Sequence, residues 1–160
     1  MRYRLAKKSD VKAMARIRAA EWETEGYWHA RISGYLAPKQ HPREALPRRV
    51  IYVATKADSL AGFIAGHLTH RYNCDGELQW IDVISEHRRT GVASELLRHL
   101  AKWFVKQKAL KICVDVKPTN TIARQFYAKH GAEKLNRHWL VWNDIKNALT
   151  ERGSDKKTTG

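Results

Sequence analysis

Apolar side chains recur at helical spacing between residues 92 and 104, and they form the strongest periodic signal in the chain. The stripe consists of Val92, Ala93, Leu96, Leu97, Leu100, Ala101 and Phe104. Side chains three and four residues apart lie on one face of a helix, so this stripe predicts a helix that packs on a hydrophobic layer. A chain of 160 residues is long enough to build one such core.

Runs of β-branched and aromatic residues predict the sheet on which that helix packs. Strands are predicted at residues 3–5, 50–54, 60–68, 77–84, 111–116 and 139–142, and a seventh strand near residues 133–135 is left open. A short polar segment, Lys56 to Ser59, separates the second and third of these runs, so they are predicted to form a hairpin.

Capping residues predict the remaining helices. Ser9 and Asp10 are typical of a helix start, and the helical spacing after them continues toward Trp22. A second helix is predicted over residues 27–36, and Thr119-Asn120 can cap another, for which Gly131 is the expected stop. The element order, β-α-α-β-β-β-α-β-α-β, predicts a mixed α/β (α+β) domain with about four helices on a largely antiparallel sheet of six to seven strands.

The net charge of +14 predicts attraction to polyanions: nucleic acid, an anionic membrane surface or a phosphate-rich cofactor. The basic residues are scattered, and the chain has neither an aromatic RNA-binding strand motif nor zinc-finger spacing. A basic nucleic-acid-binding module therefore remains an alternative function, but no specific nucleic acid is predicted as a partner.

Other features of the sequence predict where the protein is located and where its folded domain ends. The chain has no apolar run of the roughly 20 residues that a membrane span needs, so no membrane partner is predicted. Cys74 and Cys113 are expected to be two ordinary thiols, and the histidines show no ligand spacing, so no metal and a cytoplasmic location are predicted. Residues 1–148 are predicted to form a single domain, and residues 149–160 a disordered C-terminal tail.

Basic residues and a glycine precede the strongest predicted helix, in the segment Arg88 to Ala93. The first turn of a helix leaves backbone N–H groups without partners, and its dipole adds partial positive charge. Gly91 lets the backbone approach a ligand closely, so the segment is suited to hold a pyrophosphate. Taken alone, the same pattern also occurs in ordinary connections between a strand and a helix.

A second motif, the segment Asn120 to Ala132, follows one helix and one strand later. Together the two segments resemble the GNAT family of N-acetyltransferases. Arg88-Arg89-Thr90-Gly91-Val92-Ala93 is similar to the family's Arg/Gln-x-x-Gly-x-Gly/Ala loop, and the second segment to its Asn-x-x-Ala-x-x-Phe-Tyr-x-x-x-Gly helix. The resemblance extends over about residues 1 to 146. Ser85 and Ala132 depart from the residues most frequent in the family.

The resemblance implies a sheet that splays between its fourth and fifth strands, near Val83 and Val116, to admit the pantetheine arm of acetyl-coenzyme A as co-substrate. It implies a pyrophosphate site made largely of backbone N–H groups. Its cofactor-binding residues would be Val83, Arg88, Arg89, Thr90, Gly91, Val92, Ala93, Ser94, Asn120 and Tyr127.

The resemblance also implies catalytic roles. The backbone N–H of Val83 would stabilise the oxyanion, and Tyr127 would protonate the leaving sulfur. Glu77 and Asp115 each match the position of a base in part of the family, and a water relay is a third possibility. Strand alternation places Asp82 on the opposite face from Glu77 and Val83, so Asp82 is expected to face away.

The acceptor is expected to be an amine, either a small molecule or part of a peptide. Acidic and aromatic residues between the first two helices could bind it through ion pairs and cation–π contacts. These residues are Trp22, Glu23, Glu25, Tyr27 and Trp28. An alternative interpretation is a solvated helix end with aromatic core anchors. Also left open are a homodimer and a non-catalytic acetyl-coenzyme A sensor.

Overall fold

A computed structural model describes residues 1–150, in which seven strands form one sheet that carries four α-helices. The strands are β1 (Arg2–Leu5), β2 (Ala45–Lys56), β3 (Ser59–Thr69), β4 (Gly76–Val83), β5 (Ile112–Asp115), β6 (Glu133–Lys134) and β7 (Trp139–Trp142). The helices are α1 (Val11–Ala19), α2 (Glu25–Leu36), α3 (Val92–Lys106) and α4 (Thr121–Lys129).

The sheet has the order β1-β2-β3-β4-β5-β7-β6, with β4 and β5 parallel and every other pair antiparallel. The predicted mixed, largely antiparallel sheet is confirmed, and the seventh strand that the sequence left open is present. Helix α3 lies between the two parallel strands along the chain, as a parallel connection requires.

Helices cover the two faces of the sheet and divide the core into two layers. The α3 stripe forms the first layer, and six of its seven apolar residues are buried, with Ala93 partly exposed. Helices α1 and α2 form the second layer on the opposite face, where Met14, Ile32 and Tyr35 are almost completely buried. The periodicity between residues 92 and 104 therefore predicted the packing face of α3 correctly.

Helix α1 ends at Ala19, earlier than the helical spacing toward Trp22 suggested. Its last turn is extended by the Glu21 and Trp22 N–H groups, which donate to the carbonyl of Arg18 at 3.1 and 3.2 Å. Glu23 then adopts a left-handed conformation with φ of 64°, and Thr24 caps α2 by accepting a hydrogen bond from the Tyr27 N–H. The link between α1 and α2 is thus a tight, hydrogen-bonded turn.

Strands β4 and β5 separate soon after they meet. Their ladder joins only Gly76–Leu78 to Ile112–Val114, whereas β4 continues to Val83. The last five residues of β4 therefore have no partner on the β5 side. The predicted splay between the fourth and fifth strands is confirmed, and it opens at the end of β4 that precedes α3.

Strand β4 contains a β-bulge at Gln79, since Leu78 pairs with Gly66 and Trp80 pairs with Ala65. An extra residue shifts the alternation of side chains that follow it. Leu78 packs with α3, but Trp80 packs with α1 and α2. The prediction that Asp82 lies on the opposite face from Glu77 is wrong, because the bulge places both on the face that carries α1 and α2.

The described chain ends beyond the predicted domain boundary. A short 3-10 helix spans Ile145–Leu149, and the Leu149 carbonyl accepts a hydrogen bond from Arg98 Nη1 at 3.2 Å. Leu149 also packs against the α3 layer. The rest of the predicted tail, residues 151–160, lies outside the described residues. Within residues 1–150, no helix has the length and apolar character needed to span a bilayer.

Candidate active site

The N-terminus of α3 has free backbone donors. Gly91 occupies the N-cap position with φ of +88°, and no side chain of the described residues caps the helix. The first intrahelical bond runs from the Glu95 N–H to the Gly91 carbonyl, so the N–H groups of Val92, Ala93 and Ser94 precede it. A Cβ placed on Gly91 would meet nothing within 4 Å, which shows open space beside these donors. This geometry suits an anion.

The side chains of the same loop point elsewhere. The Arg88 guanidinium donates from Nε to the Val83 carbonyl and from Nη2 to Glu21 Oε1, both at 3.0 Å. The Thr90 hydroxyl donates to the His87 carbonyl. Ser94 Oγ lies 3.0 Å from His130 Nε2. In this structure, the loop therefore offers its backbone, and not the Arg88 charge, to a ligand at the helix N-terminus.

Helix α4 begins on the other side of the gap. Asn120 Oδ1 accepts a hydrogen bond from the Ala123 N–H at 3.1 Å, so the predicted cofactor residue also caps this helix. Arg124, which the sequence analysis did not assign, donates from Nη2 to the carbonyls of Val116 at 2.9 Å and Arg137 at 2.6 Å. Arg124 thereby fixes the chain just beyond β5 to the loop before β7.

Two backbone N–H groups of β4 face the gap. The Ile84 N–H donates to the Ala61 carbonyl of β3 at 2.9 Å. Since N–H directions alternate along an antiparallel strand, those of Val83 and Ile81 point away from β3, toward the side where β5 has diverged. Val83 was predicted as a donor, whereas Ile81 was missed because the extent of the splay cannot be read from the sequence.

Tyr127 lies on α4, in the same core layer as Val83 of β4 and Val116 beyond β5. Its ring packs edge-on against Trp142, with 5.6 Å between the centroids, and its side chain is almost completely buried. Burial raises the pKa of the Tyr127 phenol, and the negative charge of Asp82 raises it further, against an opposing effect of Arg18. The phenol stays protonated at neutral pH and can donate a proton.

Asp82 approaches the same gap from the α1 side. Its Oδ2 accepts a hydrogen bond from Arg18 Nη1 at 2.9 Å, and the Arg18 guanidinium lies 4.3 Å from the centre of the Trp28 ring. Burial raises the pKa of the Asp82 carboxyl, which Arg18 counteracts. Tyr127 and Asp82 thus interact electrostatically across the splay, although the first was predicted to act there and the second was not.

Glu77 lies at the start of β4, where β5 is still paired. It is buried in a polar network: its Oε1 is 3.3 Å from Arg71 Nε and 3.5 Å from His67 Nε2. The other ring nitrogen of His67 lies 3.0 Å from the Tyr35 hydroxyl. The structure therefore encloses this predicted base among other side chains, before the strand reaches the gap.

Asp115 is exposed at the end of β5 and lines a cavity of about 550 Å³. The other lining residues are Arg71, Tyr72, Asn136, Arg137, His138 and Trp139. Burial first, and then the charge of Glu77, raise the pKa of the Asp115 carboxyl, while His138 and Arg71 lower it. This second predicted base faces a cavity on the β5–β7 side of the splay.

The predicted acceptor residues lie together on the α1–α2 side. The rings of Trp22, Tyr27 and Trp28 contact one another, with centroids 5.0 to 5.9 Å apart. Arg18 lies over the Trp28 ring, and Arg31 lies 5.2 Å from the centre of the Tyr27 ring. The chain's own cations therefore occupy two of the three aromatic rings, and Trp22 remains the most exposed of them.

The two acidic residues of that segment differ in their surroundings. Glu25 Oε1 accepts a hydrogen bond from Arg16 Nε at 3.1 Å, whereas Glu23 lies in the turn before α2 and is exposed. Glu21, which was not assigned, carries the contact to Arg88 described above. Of the three carboxylates, Glu21 is therefore the one tied to the loop before α3.

Cys74 and Cys113 are free thiols in the core, although they lie far apart in the sequence. The Cys74 thiol donates to the Tyr72 carbonyl at 3.8 Å and the Cys113 thiol to the Gly76 carbonyl at 3.7 Å. The neighbouring Cys74 thiol, and then burial, raise the pKa of Cys113. Within residues 1–150, no three His, Cys, Asp or Glu side chains are grouped closely enough to hold a metal ion.

The splayed parallel pair, with an uncapped helix N-terminus beside it, lies in a fold that solved acetyltransferase structures share. Residues 12–132 match the model of the acetyltransferase (GNAT) family. The chain belongs to this family and is an acyltransferase. No curated protein sequence matches the chain.

Solved structures share the fold at low sequence identity. An aminoglycoside 6'-N-acetyltransferase, AAC(6')-Ig from Acinetobacter haemolyticus, is 20% identical with a TM-score of 0.71, covering 85% of this chain and 93% of that one. Ard1 from Thermoplasma volcanium is 23% identical with a TM-score of 0.68, and the match covers 88% of this chain and 93% of Ard1. The PaiA N-acetyltransferase from Thermoplasma acidophilum, solved with coenzyme A, is 16% identical with a TM-score of 0.66, covering 88% and 98%.

Proposed function

We propose that this acyltransferase moves the acetyl group of acetyl-coenzyme A onto a primary amine by direct attack within a ternary complex. One observation carries the proposal: the N–H groups of Ile81 and Val83 face a gap that ends beside the uncapped N-terminus of α3. A similar fold has been solved with coenzyme A in PaiA, which supports the same use of the gap here.

The described residues fit the donor substrate. The backbone of the segment Arg88 to Ser94 would bind the pyrophosphate, because the first turn of α3 has free N–H groups and open space beside Gly91. The Asn120 side chain amide would contact the pantetheine arm, since only its oxygen is used in capping α4. The positive charge of the chain favours such a polyanion.

The chemistry requires a neutral amine, a donor for the oxyanion and a proton for the departing sulfur. A primary amine of pKa ~10 is about one part in 10³ neutral at pH 7, which corresponds to roughly 4 kcal/mol. The Val83 and Ile81 N–H groups would stabilise the oxyanion, and one such donor is typically worth about 10²- to 10³-fold in rate. Tyr127 would protonate the thiolate, because its phenol keeps its proton at neutral pH.

The acceptor would enter on the face opposite α3, between the aromatic residues of α2 and the cavity that Asp115 lines. The family neighbours named above include an enzyme for aminoglycosides, which are amines, and this supports an amine acceptor without selecting one. A small-molecule amine and a peptide amine remain the two candidate classes. A homodimer and a cytoplasmic location stay predictions.

Calorimetric titration with acetyl-coenzyme A at moderate salt tests the proposal, and we expect saturable binding. A panel of primary amines, followed by the release of free thiol, then identifies the acceptor. Binding without turnover on the whole panel would indicate an acetyl-coenzyme A sensor. No heat at high micromolar protein, together with DNA affinity that falls steeply as salt increases, would support the nucleic-acid alternative instead.

A further inference from the structure

We propose that Asp82 is the base that takes the proton from the acceptor ammonium, and that Arg18 positions it. This inference rests on the proposed acetyl transfer to an amine. Asp82 lies between Ile81 and Val83, whose N–H groups face the gap, so its side chain leaves the strand beside the point where a thioester carbonyl would lie. The Gln79 bulge directs that side chain toward the acceptor face.

One oxygen of Asp82 is available to a ligand. Oδ2 accepts the hydrogen bond from Arg18, whereas Oδ1 has no donor among the described residues. The side chain keeps 16% of its surface exposed, so a small amine can reach it. Arg18 in turn is held against Trp28 and Trp80, at 4.3 and 6.0 Å from the ring centres, which limits the positions open to the carboxylate.

Groups of both charges surround Asp82. Arg18 faces it from α1, Glu21 from the turn after α1, Arg88 from the loop after β4, and Tyr127 from α4. Burial, the largest effect, and Glu21 raise the pKa of Asp82, while the two arginines lower it. A carboxylate of raised pKa is a better proton acceptor than a fully solvated one, provided that it remains charged.

The two bases predicted from the sequence are placed less well for this step. Glu77 contacts Arg71 and His67 where β4 and β5 are still paired, and it is almost completely buried. Asp115 opens into the cavity on the far side of the gap. Of the three carboxylates, Asp82 alone combines a position beside the gap-facing N–H groups with an oxygen that lacks a donor in the described chain.

The proton transfers balance as follows. The ammonium gives one proton to Asp82, and the neutral nitrogen attacks the thioester carbonyl to form the C–N bond. The C–S bond breaks with its electron pair on sulfur, which takes the Tyr127 proton. The second nitrogen proton passes to the Tyr127 oxygen, and Asp82 releases its own to water. One proton is released for each amide formed.

The decisive experiment follows kcat/KM against pH for Asp82→Asn, with glycinamide as the less basic acceptor and ethanolamine as the more basic one. We expect a loss of about 10²- to 10³-fold near pH 7. The wild-type profile should be level between the pKa of Asp82 and that of the amine. The variant should instead gain about tenfold per pH unit, since it uses only the amine that is already neutral. Near pH 7, the loss of kcat/KM in the variant should be larger for ethanolamine than for glycinamide, because less of the more basic amine is neutral.

Further measurements separate a catalytic role from a structural one. Acetyl-coenzyme A affinity should be unchanged in Asp82→Asn, and Asp58→Asn, a matched change in the exposed turn between β2 and β3, should behave as wild type. Arg18→Gln removes a charge that lowers the pKa of Asp82, so the acidic limb of its profile should move to higher pH. This second variant keeps the test valid if Asp82→Asn does not fold.

Three results would overturn the inference. Asp82→Asn could turn over as fast as wild type, or it could lose the same factor in kcat/KM at every pH. The pH-dependent loss of kcat/KM could also appear in Asp115→Asn instead. In each of these cases wild-type enzyme still binds acetyl-coenzyme A and acetylates an amine. If wild-type protein neither binds nor turns over, the proposed function fails as well, and the two failures are therefore distinguishable.

Discussion

Arg88 Nη2 lies 3.0 Å from Glu21 Oε1, so the loop that precedes α3 is bound to the end of α1. The same guanidinium donates to the carbonyl of Val83, the last residue of β4. One side chain therefore connects the proposed pyrophosphate loop, the gap in the sheet and the acceptor side. A movement of this loop therefore also displaces the Glu21 carboxylate, which lies on the proposed acceptor side.

Replacing Arg88 with Gln should change the free energy of unfolding by less than about 1 kcal/mol, because both partners of the Glu21 pair are more than half exposed and solvent screens them. Acetyl-coenzyme A affinity should fall only a few-fold, since the backbone of the loop remains. The KM for the amine should change more than the affinity for acetyl-coenzyme A. Calorimetry and initial rates measure the two effects, and a 100-fold loss of cofactor affinity would contradict this assignment.

Tyr127→Phe should lower kcat by about 10²-fold, because it removes the proton donor and keeps the ring that packs on Trp142. Acetyl-coenzyme A affinity should stay close to that of wild type. Tyr52→Phe is the matched control, since Tyr52 also has a pKa raised by burial but lies in β2, away from the gap. Unchanged turnover in Tyr127→Phe would remove the phenol from the mechanism.

Asp10→Asn should destabilise the protein at neutral pH by about 1–3 kcal/mol, because Asp10 accepts hydrogen bonds from Arg4 at 2.7 and 2.9 Å and from the Lys7 N–H at 2.7 Å. The Arg4 contact, more than the Lys7 bond, lowers the pKa of Asp10. A carboxyl with a lowered pKa stabilises the fold above its unfolded pKa of about 3.9, and this contribution is lost as the pH falls through the folded value. Urea unfolding at pH 7 should therefore separate the variant from wild type, and the difference should shrink as the pH falls below the unfolded pKa and through the lowered folded value.

Leu100→Ala should lower the free energy of unfolding by about 2–5 kcal/mol, since Leu100 is 1% exposed at the centre of the α3 layer. Leu110→Ala makes the same change where the side chain is 37% exposed, and it should cost much less. Urea unfolding of both variants gives the comparison. Similar losses in the two proteins would mean that the α3 layer is not the main core.

The sequence predicted what depends on local patterns. The stripe of α3 and the glycine before it specify a helix, its buried face and its free N-terminus within a few consecutive residues. The motif around Tyr127 likewise identified the correct helix. These features are visible in the sequence because neighbouring residues determine them.

Features that depend on pairing between distant segments were not predicted. The bulge at Gln79 follows from the register of β4 on β3, and without it the alternation of side chains gave the wrong face for Asp82. The contact between Arg88 and Glu21 joins residues 67 positions apart, and the two cysteine thiols meet only because β5 folds beside the turn before β4. Strand register and long-range contacts depend on how all the strands of the sheet pair, and a local sequence pattern does not contain that information.

The unpaired residue in β4 separates two functions within a single strand. Beyond Gln79, the main chain presents amides to the gap, whereas the side chains of Trp80 and Asp82 face the opposite layer. Substitutions at those two positions leave the amides in place. Evolution can therefore change the side chains on the proposed acceptor face while the backbone donors on the proposed acetyl-coenzyme A side stay in place.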